Sequence, residues 1–85
     1  MPNLIRVEIY SRPGCRLCDE AKDVLERVRR RRAFDLTEIN IETDPKLVAA
    51  FGTEIPVVFV NGSKAFKYSV DERELEKRLE RLWNK

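Results

Sequence analysis

The sequence predicts an α/β domain with a mixed four-stranded sheet flanked by helices, and three observations carry that expectation. From Leu4 to Tyr10 apolar and polar residues alternate; after a Pro-Gly break the apolar period becomes helical. A nearly all-apolar run, Val57 to Val60, needs cover on both faces, so helices must lie on both sides of the sheet. Asn61-Gly62 then ends that run with the dipeptide of a tight hairpin, which makes the final strand pair antiparallel. The order is β-α-β-α-β-β-α, with the first two strands parallel across a right-handed helical crossover.

Each element has its own residue signature. Ile5, Val7 and Ile9 alternate with Arg6, Glu8 and Tyr10 in the first strand, and Arg12-Pro13-Gly14 stops it. Leu17, Ala21, Val24, Leu25 and Val28 then fall at helical spacing. Acidic residues crowd the start of this helix and Arg29 to Arg32 its end, as the helix dipole favours. Those arginines fan around the axis rather than forming a stripe, so a solvated helix end is expected, not a nucleic-acid patch. Thr37, Ile39 and Ile41 mark the second strand. Asp44-Pro45 reads as an N-cap with Pro at the first helical position, and Gly52 closes that short helix. Ala65-Phe66 returns from the hairpin; Phe66 and Tyr68 suit either a partner surface or the sheet. Ser69 and Glu72 have capping-box spacing ahead of Leu75, Leu79, Leu82 and Trp83, which are expected in the core. No linker, repeat or low-complexity stretch divides the chain, so residues 1–85 are read as one domain.

Composition narrows the function classes. The chain is 42% hydrophobic and 38% charged, a balance that suits a globular protein with a charged surface. No run approaches the roughly 18 apolar residues of a membrane span, and Arg6 and Glu8 interrupt the first apolar run. A cytoplasmic location, with no membrane partner, is therefore expected. Seventeen basic against 15 acidic residues leave a net charge of +2, too balanced to predict a nucleic-acid partner. Histidine is absent, which removes the commonest general base and the commonest zinc ligand together. Glu, Lys and Arg are abundant and Gln is missing, a bias seen in proteins from hot environments.

The chemistry centres on the two cysteines, Cys15 and Cys18, in "YSRPGCRLCDEAK". A structural staple here would close a four-residue loop, worth only about 2 kcal/mol. A zinc site needs four ligands, and this chain offers two thiolates and no imidazole. No metal site is expected within one chain. A redox couple, by contrast, requires this spacing. Cys15 falls at a helix N-terminus, where unpaired N–H groups and the dipole stabilise a thiolate, with Arg12 and Arg16 close by. Cys18 lies one turn on, near enough to attack a disulfide formed at Cys15. Asp19 favours the helix start, although its charge opposes a thiolate at Cys15.

The resemblance extends beyond the cysteine pair. "IYSRPGCRLCDEAK" is similar to the active-site segment of glutaredoxins, and "EIPVVFVNG" resembles their second signature, a cis-proline loop leading into a strand and an Asn-Gly turn. The spacing between the two segments and the total length also match, so the resemblance extends over nearly the whole chain. The resemblance implies the thioredoxin fold, a loop proline lying against the cysteines, and a preceding residue whose backbone pairs with substrate. Those roles fall on Pro56 and Ile55, while Arg12 can meet a substrate carboxylate. Glutaredoxins usually carry a Gly-Gly pair near the last helix, where the γ-glutamyl end of glutathione is held. Phe66, Lys67 and Tyr68 occupy that region here, Asp71 could match the acidic position, and Arg16-Leu17 replaces Pro-Tyr between the cysteines.

The expected function is that of a monomeric thiol–disulfide oxidoreductase acting on a protein or small-molecule disulfide. Cys15 is the nucleophile and Cys18 the resolving thiol, and Arg12, Ile55 and Pro56 bind substrate. No bound cofactor is required; glutathione, or a thioredoxin reductase with NADPH, would recharge the pair. Two alternatives stand beside it: an electron-donor redoxin recharged by thioredoxin reductase, and a glutathione or iron–sulfur carrier formed by a dimer through Cys15.

Overall fold

A computed structural model describes residues 4–83. Its elements follow the expected order: β1 (Arg6–Ser11), α1 (Arg16–Arg31), β2 (Asp35–Asn40), α2 (Pro45–Phe51), β3 (Val57–Val60), β4 (Ser63–Lys67) and α3 (Glu72–Trp83). A single 3-10 turn, Ile41–Thr43, links β2 to α2, so Ile41 belongs to that turn and not to the strand. The strands lie in the order β2-β1-β3-β4. β1 pairs parallel with β2, Val7 opposite Leu36 and Ser11 opposite Asn40. β3 runs antiparallel to both neighbours, with Val57 opposite Tyr10 on one side and Lys67 on the other.

Alternation decides which residues reach which face. Ile5, just before β1, and Val7 and Ile9 within it, with Val58 and Val60 of β3, meet Ala21, Leu25 and Val28 of α1 and Leu75 and Leu79 of α3. These side chains form the main core. The opposite face carries Tyr10 and Phe59, and Phe51 at the end of α2 closes on both, with ring centroids 4.7 Å and 5.9 Å away. Val57 and Ile41 are buried on that side too. Thus α1 and α3 cover one face, and the shorter α2 covers the other only in part. Asn61 and Gly62 both take positive φ, +49° and +83°, the backbone of a two-residue hairpin turn. Asn61 also ties the hairpin to β1: its side-chain carbonyl accepts from the Arg6 N–H at 2.8 Å, and its own N–H donates back to Arg6.

Four expectations need correction. Ala21, Leu25 and Val28 of α1 are buried and Val24 half-buried, as the period requires, but the buried face begins with Cys18, and Leu17 is 48% exposed. α3 is capped by Asp71, whose carboxylate accepts the Glu74 N–H at 3.0 Å, and the Ser69–Glu72 capping box is not formed. Glu72 turns instead to α1, accepting from Arg27 and Arg31. Trp83 is 52% exposed, because α3 extends past the edge of the core that Leu75 and Leu79 reach. Arg31 and Arg32 likewise reach across to Glu76 and Glu80, at 2.8 and 3.3 Å, so this helix end is an interhelical seam and not a purely solvated one.

Candidate active site

β1, an inner strand of the sheet, delivers the chain to a tight turn at its C-terminal end. Gly14 in this turn has φ of +76°, a backbone that side-chain-bearing residues adopt at a cost. The turn sets Cys15 as the N-cap of α1 in an extended conformation. Its Sγ accepts the Cys18 N–H at 3.1 Å, and its carbonyl accepts the first helical bond from Asp19. Cys15 is half-buried, whereas Cys18 points into the core and is fully buried. The two are joined by a disulfide, with Cα atoms 5.2 Å apart. The N–H that meets Cys15 sulfur, together with the helix dipole, would stabilise a thiolate there after reduction.

The charges around the pair are partly spoken for. Arg16 pairs with Glu20 at 3.4 Å, and Asp19 pairs with Lys22 at 3.5 Å, which offsets the acidic charge nearest the helix start. Arg12 is exposed in the turn and makes no ion pair among the described residues. Beneath the turn, the buried Ser11 hydroxyl donates to Glu38 at 3.2 Å, and Lys22 donates to the same carboxylate oxygen at 2.8 Å. The Lys22 hydrogen bond holds the Glu38 carboxyl below its usual range, and Glu38 in turn raises Lys22. This network fastens β1, β2 and α1 together next to the cysteines. Sequence reasoning missed it, since Lys22 and Ser11 stand 16 and 27 residues from Glu38.

The proline loop lies at the same end of the sheet. Tyr10 opposes Val57, so Pro56 lies beside the point where β1 gives way to the cysteine turn. The Ile55–Pro56 peptide bond is cis; Pro56 is buried and Ile55 half-buried. The Tyr68 N–H is shared between the carbonyls of Pro56, at 2.9 Å, and Glu54, at 3.2 Å, which pins the exit of β4 to this loop. Glu54 accepts from Lys64 at 2.7 Å and lies 4.0 Å from Lys67; the Lys64 hydrogen bond lowers its pKa first. Cys15 and Cys18 are thus brought into contact, Pro56 and Ile55 share their end of the sheet, and Arg12 stands in the turn between strand and helix.

Residues 6–80 match the family model described as Glutaredoxin-like domain (DUF836). The chain belongs to this glutaredoxin-like family. It is 30% identical over 84 residues to the glutaredoxin-like protein YDR286C homolog of Dictyostelium discoideum, covering 92% of this chain and 78% of that one. The solution structure of protein Ne2328 from Nitrosomonas europaea superposes with a TM-score of 0.80 at 25% identity, covering 93% of this chain and 95% of that one. A mutant thioredoxin from Halobacterium salinarum shares the fold at a TM-score of 0.64, 20% identity, and coverage of 93% and 74%. The glutaredoxin-like chain therefore has a thioredoxin fold, and its Cys15-x-x-Cys18 pair points to redox chemistry. Among the described residues, no helix is long and apolar enough to cross a membrane.

Proposed function

We propose that this chain is a thiol–disulfide oxidoreductase in which Cys15 attacks and Cys18 resolves. The observation that carries the reading is the asymmetry of the pair: Cys15 caps the helix half-exposed, and Cys18 is fully buried one turn on. The Cys15 thiolate attacks a substrate disulfide, forming a mixed disulfide and expelling one substrate thiol. Cys18 then attacks Cys15 sulfur, expelling the second thiol and leaving Cys15–Cys18 oxidised. Two electrons and two protons pass from the dithiol to the substrate. Ile55 and Pro56 shape the docking edge, and Arg12 meets an acidic group on the partner. A monomer suffices, no bound cofactor enters the cycle, and a reducing cytoplasm is the compartment that suits it.

A protein disulfide fits this site better than glutathione does. Glycine would allow a small ligand to approach the backbone at the end of β4, and Lys67 and Tyr68 stand there instead. Lys67 is engaged by Glu54 and lies 5.5 Å from the Tyr68 ring centroid, so it is drawn away from a ligand carboxylate. The test compares recharging of the oxidised protein by glutathione with recharging by thioredoxin reductase and NADPH. Faster reduction by the enzyme system supports the reading; efficient reduction by glutathione alone favours a small-thiol cycle. Reduction by neither, together with inert cysteines, would remove the oxidoreductase assignment.

A further inference from the structure

Ile55 lies between two residues that are tied down by their backbones. The Glu54 N–H donates to the Phe51 carbonyl at the end of α2, at 2.8 Å. Tyr68 follows β4 in the left-handed region, with φ of +71°, and turns its N–H onto the carbonyls of Glu54 and Pro56. Among the described residues, Ile55 itself engages neither its backbone N–H nor its carbonyl in a hydrogen bond. An extended partner segment pairs through such free main-chain groups, and their aim is set by the residues on either side.

The Glu54 side chain adds a further tie. One carboxylate oxygen accepts from Lys64 at 2.7 Å, and the other lies 4.0 Å from Lys67. In a regular strand, residues three apart point to opposite faces. β4 is irregular here: Phe66 opposes Val58 but Lys64 opposes Phe59, so Ala65 is the extra residue of a bulge. The bulge puts Lys64 and Lys67 on one face, where both meet the same carboxylate. At 27% exposure, Glu54 is the least exposed ion-paired carboxylate among the described residues, so water screens this pair less than the others.

We infer that Glu54, clamped by Lys64, is a positioning residue that aims the Ile55 backbone at a protein substrate. The inference rests on the oxidoreductase reading and adds the side chain that sets its docking edge. Glu54 acts only through Ile55, so a disulfide too small to pair with that backbone gains nothing from the clamp.

The experiment compares two disulfides in single-turnover reaction with the fully reduced protein. One is the dimer of a short uncharged peptide blocked at both ends; the other is hydroxyethyl disulfide. Each reaction consumes the Cys15 and Cys18 thiols and one substrate disulfide, and yields two substrate thiols and the Cys15–Cys18 disulfide. Glu54→Gln should slow the peptide about fivefold relative to hydroxyethyl disulfide, the scale of one partly exposed ion pair. Lys64→Gln should do the same, and the double variant should be no worse than either, since all three remove one interaction. A peptide rate untouched by Glu54→Gln, an equal slowing of both disulfides, or additive losses in the double variant would overturn the positioning role while leaving the oxidoreductase reading standing. Wild-type protein inert toward both disulfides would overturn both.

Discussion

Cys15 and Cys18 share a helical turn but not an environment. Cys15 sulfur meets a backbone N–H at the helix start, where positive potential favours a thiolate, whereas Cys18 is fully buried, out of reach of a reagent in solvent. Iodoacetamide at neutral pH should therefore label Cys15 first in the reduced protein, read by peptide mapping; preferential labelling of Cys18 would reverse the two roles. Tyr68 poses a different question, about what its strain does for the molecule. The left-handed conformation costs a residue with a side chain about 1–2 kcal/mol. Replacing it with glycine recovers that cost and gives back about 0.5–1 kcal/mol in unfolded-chain entropy. Tyr68→Gly should therefore unfold in urea within about 1 kcal/mol of the wild type. A markedly larger destabilisation would mean that packing of the ring outweighs the strain.

α3 shows how one acidic cluster can divide its duties. Asp71 caps the helix, Glu74 supplies the N–H it accepts, and Glu72 leaves the helix end to meet Arg27 and Arg31 of α1. Asp71→Ala should cost about 1 kcal/mol, the ordinary worth of an N-cap, and Ser69→Ala only a few tenths. The reverse ranking in denaturant unfolding would restore the capping box that the spacing suggests. Across the seam, hydrogen bonds from Arg31 and then Arg27 hold the Glu72 carboxyl below its ordinary range. A depressed carboxylate contributes stability above its unfolded value, about 4.3, and loses it as pH falls through the lower folded value. Glu72→Gln should lower the thermal midpoint at neutral pH. That difference from the wild type should shrink on acidification and again in 1 M salt, where the Debye length is about 3 Å. A difference that persists under both conditions would point to packing and not charge.

At the scale of the whole molecule, the parts legible in the sequence were those whose cause is local. Period-two alternation in β1, the apolar run of β3 and the Asn61-Gly62 turn each express backbone geometry within a few residues, and together they set the order of elements. The cysteine pair was legible for the same reason, since its chemistry lies within one turn. What escaped were contacts between distant segments: the Ser11–Glu38–Lys22 network, the α1–α3 ion pairs and the Tyr10–Phe51–Phe59 cluster. Trp83 misled because helical spacing says which side a residue faces, not whether the sheet reaches that far. On the proposed reading Phe66, Lys67 and Tyr68 stand where the resemblance to glutaredoxins would place glutathione-binding glycines, so turnover in a coupled hydroxyethyl-disulfide assay with glutathione should fall about tenfold or more below that of an ordinary dithiol glutaredoxin. Comparable turnover would return glutathione to the centre of the function. The most direct test of the central claim uses the Cys18→Ser protein, which can attack a disulfide but cannot release it. Incubated with a peptide disulfide and analysed by mass spectrometry, it should accumulate one mixed disulfide, on Cys15, while Cys15→Ser forms little; an unmodified Cys15 in the first variant, or equal capture by Cys18 in the second, would contradict the account.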